Sequence, residues 1–192
     1  MAIEAFVFDV GETLVDETKM WERAAAAAGV PVFTLMGVIG GLAATGRHHD
    51  EAWPILGVEH PPSTWGMTDF YPDALACLER LQTDGFRVGA VGNTPRETEE
   101  LMRPYVQFVA SAARWGIYKP APEFFERICD EFVLAPDKIA YVGDRVDNDV
   151  GPAIAAGMTG VHIRRGPWGH FHDPPAAAIR IHSLDELPEA VT

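Results

Sequence analysis

The sequence predicts an α/β fold, a doubly wound parallel sheet, on three observations. The apolar run Ala5-Phe6-Val7-Phe8 stops abruptly at Asp9, and Gly11 and Thr13 follow, the pattern of a buried strand feeding a loop. From Phe70 onward, short apolar runs alternate with helical stretches of about one crossover length, which implies parallel strands joined by right-handed connections. A second apolar run ends in Gly143-Asp144. In open α/β sheets ligands lie beyond the carboxyl ends of strands, so the aspartates there are where chemistry is expected.

The elements follow in order. Ile3 to Phe8 is the first strand, and Lys19 to Ala28 is an alanine-rich helix stopped by Gly29. Pro31 to Gly46 is helical but predicted to be broken by Gly37, Gly40 and Gly41, and His48 to Thr68 reads as loop, with Pro54, Gly57, Pro61, Pro62 and Gly66. Asp73 to Thr83 carries Leu75, Leu78 and Leu81 at helical spacing. Strands are expected at Arg87–Val91, Phe108–Ala112, Ile139–Val142 and Gly160–Ile163. Helices are expected to open at Pro95 and to cover Pro122–Phe132 and Val150–Ala156. No internal repeat or low-complexity tract is present.

Composition bounds the function. A chain of 192 residues with 47% hydrophobic content buries a real core. The formal charge of −13 argues against nucleic acid or an anionic membrane surface as partner, while leaving room for an anionic small molecule in a pocket where a metal or lysine inverts the field. Cys77 and Cys129 have no ligand-like spacing and read as reduced thiols. The start Met1-Ala2-Ile3-Glu4 lacks a basic leader, and the apolar run Pro31 to Ala44 is too short to span a bilayer, so a cytoplasmic location is expected.

Four segments resemble, in order, the motifs of the haloacid dehalogenase-like (HAD) hydrolases: Asp9-Val10-Gly11-Glu12-Thr13, Gly92-Asn93-Thr94, Lys119-Pro120-Ala121-Pro122, and Gly143-Asp144 followed by Asp149. The resemblance implies a Rossmann-type core formed by residues 1–15 and 70–192, with residues 16–69 as a small, mainly helical cap. It implies Asp9 as nucleophile, forming an aspartyl-phosphate that splits one hard step into two. Lys119 would neutralise Asp9 and the phosphoryl group, and Gly92, Asn93, Thr94 and Arg145 would border the substrate. Mg²⁺ would be held by Asp9, the Gly11 carbonyl and Asp144, with Asp149 close by. The implied partner is a small phosphorylated substrate, for a monomer or homodimer.

Two positions depart from the family pattern. Gly11 stands where phosphatase members carry a second aspartate, their general acid and base, a function worth roughly a hundred- to ten-thousandfold in rate. Glu12 and Asp16 are the nearby substitutes, though neither has the right spacing. Gly92 removes a hydroxyl expected at the second motif, which Thr94 partly replaces. Two alternatives stay open: a non-catalytic HAD-fold protein that binds metal or anions, and a metal-independent dehalogenase-type hydrolase.

The remaining chemistry-bearing residues have plainer readings. Trp21, Trp53 and Trp65 are expected to pack the cap rather than line a pocket, and Arg47-His48-His49-Asp50 to form a solvated turn. Asp147 is expected as a loop carboxylate, and Arg145 either as a substrate contact or as a counter-charge to its acidic neighbours. Arg164 to Gly169 reads equally as a structural turn or as a flank of the pocket, with His170 and His172 on the surface.

Overall fold

The computed structural model describes residues 2–62 and 64–191. Its strands are β1 (Ala5–Phe8), β2 (Arg87–Gly92), β3 (Phe108–Ser111), β4 (Ile139–Gly143), β5 (Thr159–Ile163) and β6 (Ile179–Ile181). They form one sheet in the order β3-β2-β1-β4-β5-β6, with every pairing parallel. The helices are α1 (Thr18–Ala27), α2 (Val32–Ala44), α3 (Ala52–Leu56), α4 (Ala74–Thr83), α5 (Glu97–Met102), α6 (Ala112–Trp115), α7 (Pro122–Phe132), α8 (Gly151–Ala155) and α9 (Gly166–Phe171). The doubly wound sheet is therefore the one expected, and its order reverses between β1 and β4.

Both faces of the sheet are covered, which is why its central strands are continuously apolar rather than alternating. Successive side chains of β1 point to opposite faces. Phe6 and Phe8 join Leu78 and Leu81 of α4 on one side, while Ala5 and Val7 meet Phe124, Phe125 and Ile128 of α7 on the other. Pro122 opens α7, where its missing N–H costs nothing, and Phe124, Phe125, Ile128 and Phe132 supply the buried stripe.

Four segments differ from expectation. The glycines of α2 do not break it: it runs uninterrupted from Val32 to Ala44, because burial of Leu35, Ile39, Leu42 and Ala43 outweighs a cost of about 1 kcal/mol per glycine. The stretch 48–68 is not all loop. It holds a 3-10 turn at His49–Glu51, the helix α3, and a second such turn at Met67–Asp69, with Pro54 in the first turn of α3, where no N–H is needed. Strand β6 went unforeseen because it is three residues long with Arg180 at its centre. The segment after β5 is the helix α9 rather than a turn, begun by Gly166 at φ 59° and Pro167.

Residues 16–69 leave and return through one narrow stem. Val15 and Phe70 form an antiparallel bridge, Asp16 N donates to Asp69 O at 2.8 Å, and Tyr71 N donates to Leu14 O at 2.9 Å. Above the stem lies a separate apolar cluster of Trp21, Leu35, Ile39, Leu42 and Trp53, joined by Trp168 of α9. Trp65 packs instead against the main core. No single helix among the described residues is long and apolar enough to cross a membrane.

The core placement gives a stability test. Phe125 has 0% exposure and Phe33 91%. Phe125→Ala should cost about 3–5 kcal/mol in denaturant unfolding, whereas Phe33→Ser should change it by no more than about 0.5 kcal/mol.

Candidate active site

The site is built at the reversal of strand order, where the loops after β1 and β4 diverge and leave a crevice. Asp9 follows β1 and Asp144 follows β4, and parallel pairing of these strands sets the two carboxylates side by side. Asp149 comes from the helical turn 146–150, and Lys119 from the loop before α7. One ligand oxygen from each of Asp9, Asp144 and Asp149 lies within 4.8 Å of the others.

A single buried ammonium organises this group. Lys119 Nζ donates to Asp9 Oδ1 at 2.7 Å and to Asp149 Oδ1 at 2.5 Å. Burial alone would discharge the lysine, but Asp149 and Asp9 outweigh it and hold its pKa well above the ordinary value. The second oxygen of Asp149 accepts the Arg145 N–H at 3.0 Å, so both ends of that carboxylate are engaged. Asp144 is different: it is 3% exposed, and its carboxylate has no hydrogen bond or ion pair among the described residues. Burial, then Asp149 and Asp9, push its pKa well up.

Glycines at two strand ends make this crowding possible. A Cβ added at Gly92 would overlap Asp9 Oδ1, and one at Gly143 would fall 2.6 Å from Asp149 Cγ. The glycine that looked like a missing hydroxyl at position 92 is thus the space that the Asp9 carboxylate occupies.

The other expected residues divide by what they touch. Asn93 spends both ends of its amide on Lys119: Oδ1 accepts the Lys119 N–H at 2.8 Å and Nδ2 donates to the Lys119 carbonyl at 3.0 Å. Thr94 Oγ1 is buried with no hydrogen-bond partner among the described residues. Arg145 grips Asp147 through two hydrogen bonds of 3.1 and 2.7 Å and lies 4.9 Å over the Trp168 ring, so Asp147 is its counter-charge. Arg165 pairs with Asp73 and covers the Tyr71 ring, bracing the core beside the site.

Neither nearby substitute for a second aspartate is well placed, Glu12 being held at both oxygens and Asp16 lying outside the lining of the cleft. Glu12 Oε2 accepts the Tyr71 hydroxyl at 2.6 Å and its Oε1 accepts the Glu17 N–H at 3.2 Å, while Asp16 Oδ1 accepts the Thr18 N–H at 2.9 Å. A residue that sequence reasoning missed stands there instead. A Cβ added at Gly11 would overlap Glu17 Oε1 and lie 3.0 Å from Glu17 Cδ. Burial, and after it the Glu12 and Asp9 carboxylates, push the Glu17 pKa up to about 8. No motif spacing marks Glu17, because only the fold of the loop between β1 and α1 brings it over Gly11.

These groups line a cleft of about 580 Å³ that takes in Asp9, Gly11, Glu17, Thr94, Lys119 and Asp144. The turn expected to be solvated contributes His48, His49 and Asp50 to its rim. His49 lies between the rings of Trp21 (5.2 Å) and Trp168 (5.9 Å), bridging residues 16–69 to the core. Burial, then the neighbouring His48, lower its pKa to about 4.

Two outcomes follow from these placements. Asn93→Ala should cost about 1–3 kcal/mol for its two bonds, read by urea unfolding, and should weaken whatever depends on Lys119. His49 is neutral when folded and ordinarily titrates near 6.5, so the stability it contributes is complete above about pH 6.5 and lost as pH falls towards 4. The unfolding free energies of the parent and His49→Gln, compared at pH 7.5 and 4.5, should therefore converge at the lower pH.

The same chain matches known proteins. The model of the haloacid dehalogenase-like hydrolases matches residues 3–157. A glyceraldehyde 3-phosphate phosphatase of Methanocaldococcus jannaschii is 33% identical over 127 residues, which cover 63% of this chain. The match covers 56% of that relative, so the chain spans little more than half its length. A glyceraldehyde 3-phosphate phosphatase of Pyrococcus furiosus is 26% identical over 97% of this chain and 91% of its own. Among solved structures, the HAD-hydrolase YfnB of Bacillus subtilis, bound to magnesium, superposes with a TM-score of 0.74 at 16% identity, over 100% of both chains. With Asp9, Lys119 and Asp144 meeting at the sheet's reversal, and the family model spanning most of the sequence, this chain belongs to the haloacid dehalogenase-like hydrolases.

Proposed function

We propose that this protein is a Mg²⁺-dependent phosphohydrolase that acts on a small phosphorylated substrate through Asp9. The observation that carries the reading is the Asp144 carboxylate, which lines the cleft beside Asp9, is 3% exposed and has no hydrogen bond or ion pair among the described residues, in a group of three carboxylates served by one ammonium. Such a charge imbalance is expensive away from water unless a cation is bound. Oxygen donors only, partly supplied by carboxylates, suit Mg²⁺. Asp9, Asp144 and the Gly11 carbonyl would hold the ion, with Asp149 orienting Lys119 rather than reaching the metal. When bound, Mg²⁺ supplies positive charge that offsets the approach of two anions.

The chain's own residues account for the remaining work. Lys119 fixes Asp9 through Oδ1, which leaves Oδ2 to attack phosphorus, and its charge draws the phosphoryl group in. The Thr94 hydroxyl, unpartnered among the described residues, belongs to the second motif, lines the cleft and is suited to a phosphoryl oxygen. The phosphatase names of the relatives support this substrate class. A metal-independent dehalogenase would leave Asp144 buried without a counter-ion, which weighs against that alternative.

The test is release of nitrophenolate from p-nitrophenyl phosphate, and of phosphate from acetyl phosphate. Turnover should vanish on chelation, return with added Mg²⁺, and be absent in Asp9→Asn under all conditions. Turnover that survives Asp9→Asn would sink the proposal.

A further inference from the structure

We propose that Glu17 is the general acid and base of this site, reaching across the loop to fill the space left by Gly11. The inference rests on the phosphohydrolase reading above. It follows from which carboxylate has the position and the freedom to act. In the phosphatase pattern the acid is a short side chain at position 11, and a side chain there would have to push aside Glu17 Oε1, which occupies that space in this fold. The place is thus filled by a carboxylate that enters from the opposite wall.

The neighbours are otherwise placed. Glu12 is held at both oxygens, by the Tyr71 hydroxyl and by the Glu17 N–H, and Asp16, which accepts the Thr18 N–H, is not among the residues that line the cleft. Glu17 has one anchored oxygen: Oε2 accepts the Trp21 Nε1–H at 3.2 Å. Its Oε1 has no hydrogen-bond partner among the described residues, and it lines the cleft together with Asp9 and Thr94. Anchoring one oxygen while leaving the other in the cleft is the arrangement a proton-transfer group needs.

The two steps balance as follows. Asp9 forms a bond to phosphorus as the bond to the leaving oxygen breaks, and that oxygen takes the proton of Glu17. A water oxygen then attacks phosphorus and gives its proton to the Glu17 carboxylate. The bond between phosphorus and Asp9 breaks, inorganic phosphate departs, and both side chains return to their starting state.

The experiment compares pre-steady-state and steady-state hydrolysis of p-nitrophenyl phosphate and glycerol 3-phosphate by the Mg²⁺-loaded parent, Asp9→Asn, Glu17→Gln, Gly11→Asp, Glu17→Ala and the double variant Gly11→Asp/Glu17→Ala. Nitrophenolate leaves without an acid, but the second step still needs the base. Glu17→Gln should therefore release a burst of nitrophenolate stoichiometric with enzyme, then turn over about a hundred- to ten-thousandfold more slowly than the parent. Glycerol 3-phosphate, a poor leaving group, should show neither phase. Gly11→Asp alone should be impaired by the overlap with Glu17, and the double variant should regain at least about tenfold over Glu17→Ala, a fraction of what acid–base assistance supplies. A Glu17→Gln enzyme that keeps parental turnover, or slows without a burst, overturns the assignment, as does a double variant no better than Glu17→Ala. If the parent itself shows no Asp9-dependent release, the phosphohydrolase reading has failed and this assignment falls with it.

Discussion

One ammonium group set among carboxylates is the constraint on which the rest of the site depends. Lys119 bonds Asp9 and Asp149 at once, in a position closed to water, where each ion costs several kcal/mol to bury unless its partners are well placed. The surroundings supply that placement. Asn93 pins the Lys119 backbone from the end of β2, the Arg145 N–H takes the far oxygen of Asp149, and the Tyr141 ring lies 5.6 Å from the ammonium. The loops after β1, β2 and β4 are thereby tied to one residue, and the site inherits its rigidity from the sheet.

The same crowding explains the glycines. Residues that look like losses when the motifs are read one at a time are gaps into which carboxylates fit: Gly92 for Asp9, Gly143 for Asp149, Gly11 for Glu17. A side chain at 92 or 143 would push aside a carboxylate that is bonded to Lys119, and one at 11 would push aside the end of Glu17. Glu17 immediately precedes α1, so its place over Gly11 depends on how the segment 16–69 is seated on the core.

How it is seated is visible in the packing. The stem at Val15 and Phe70 fixes where the chain departs, while Trp168 of α9 enters the apolar cluster of α1, α2 and α3, and His49 fits between Trp21 and Trp168. Both ring contacts are edge-to-face, a geometry that aromatic pairs prefer, and Arg145, lying over Trp168 and gripping Asp147, adds charge beside them.

The sequence by itself determined the layered sheet and the main charged groups. Strand cores such as Ala5–Phe8 and Ile139–Gly143 are apolar because both their faces are buried, and an aspartate directly after each is legible as a strand-end group without coordinates. Lys119 was equally legible from its order in the chain. Only the tertiary structure decided what fills the gaps between these groups. Whether α2 survives its glycines depended on what its other residues bury, and β6, with a charged centre, is a strand only because β5 offers its edge. The engagement of Asn93 with Lys119 and the overlap of Glu17 with Gly11 join residues on separate elements. Local pattern records neither, since hydrogen bonding and excluded volume act through space, and the fold alone sets which side chains share it.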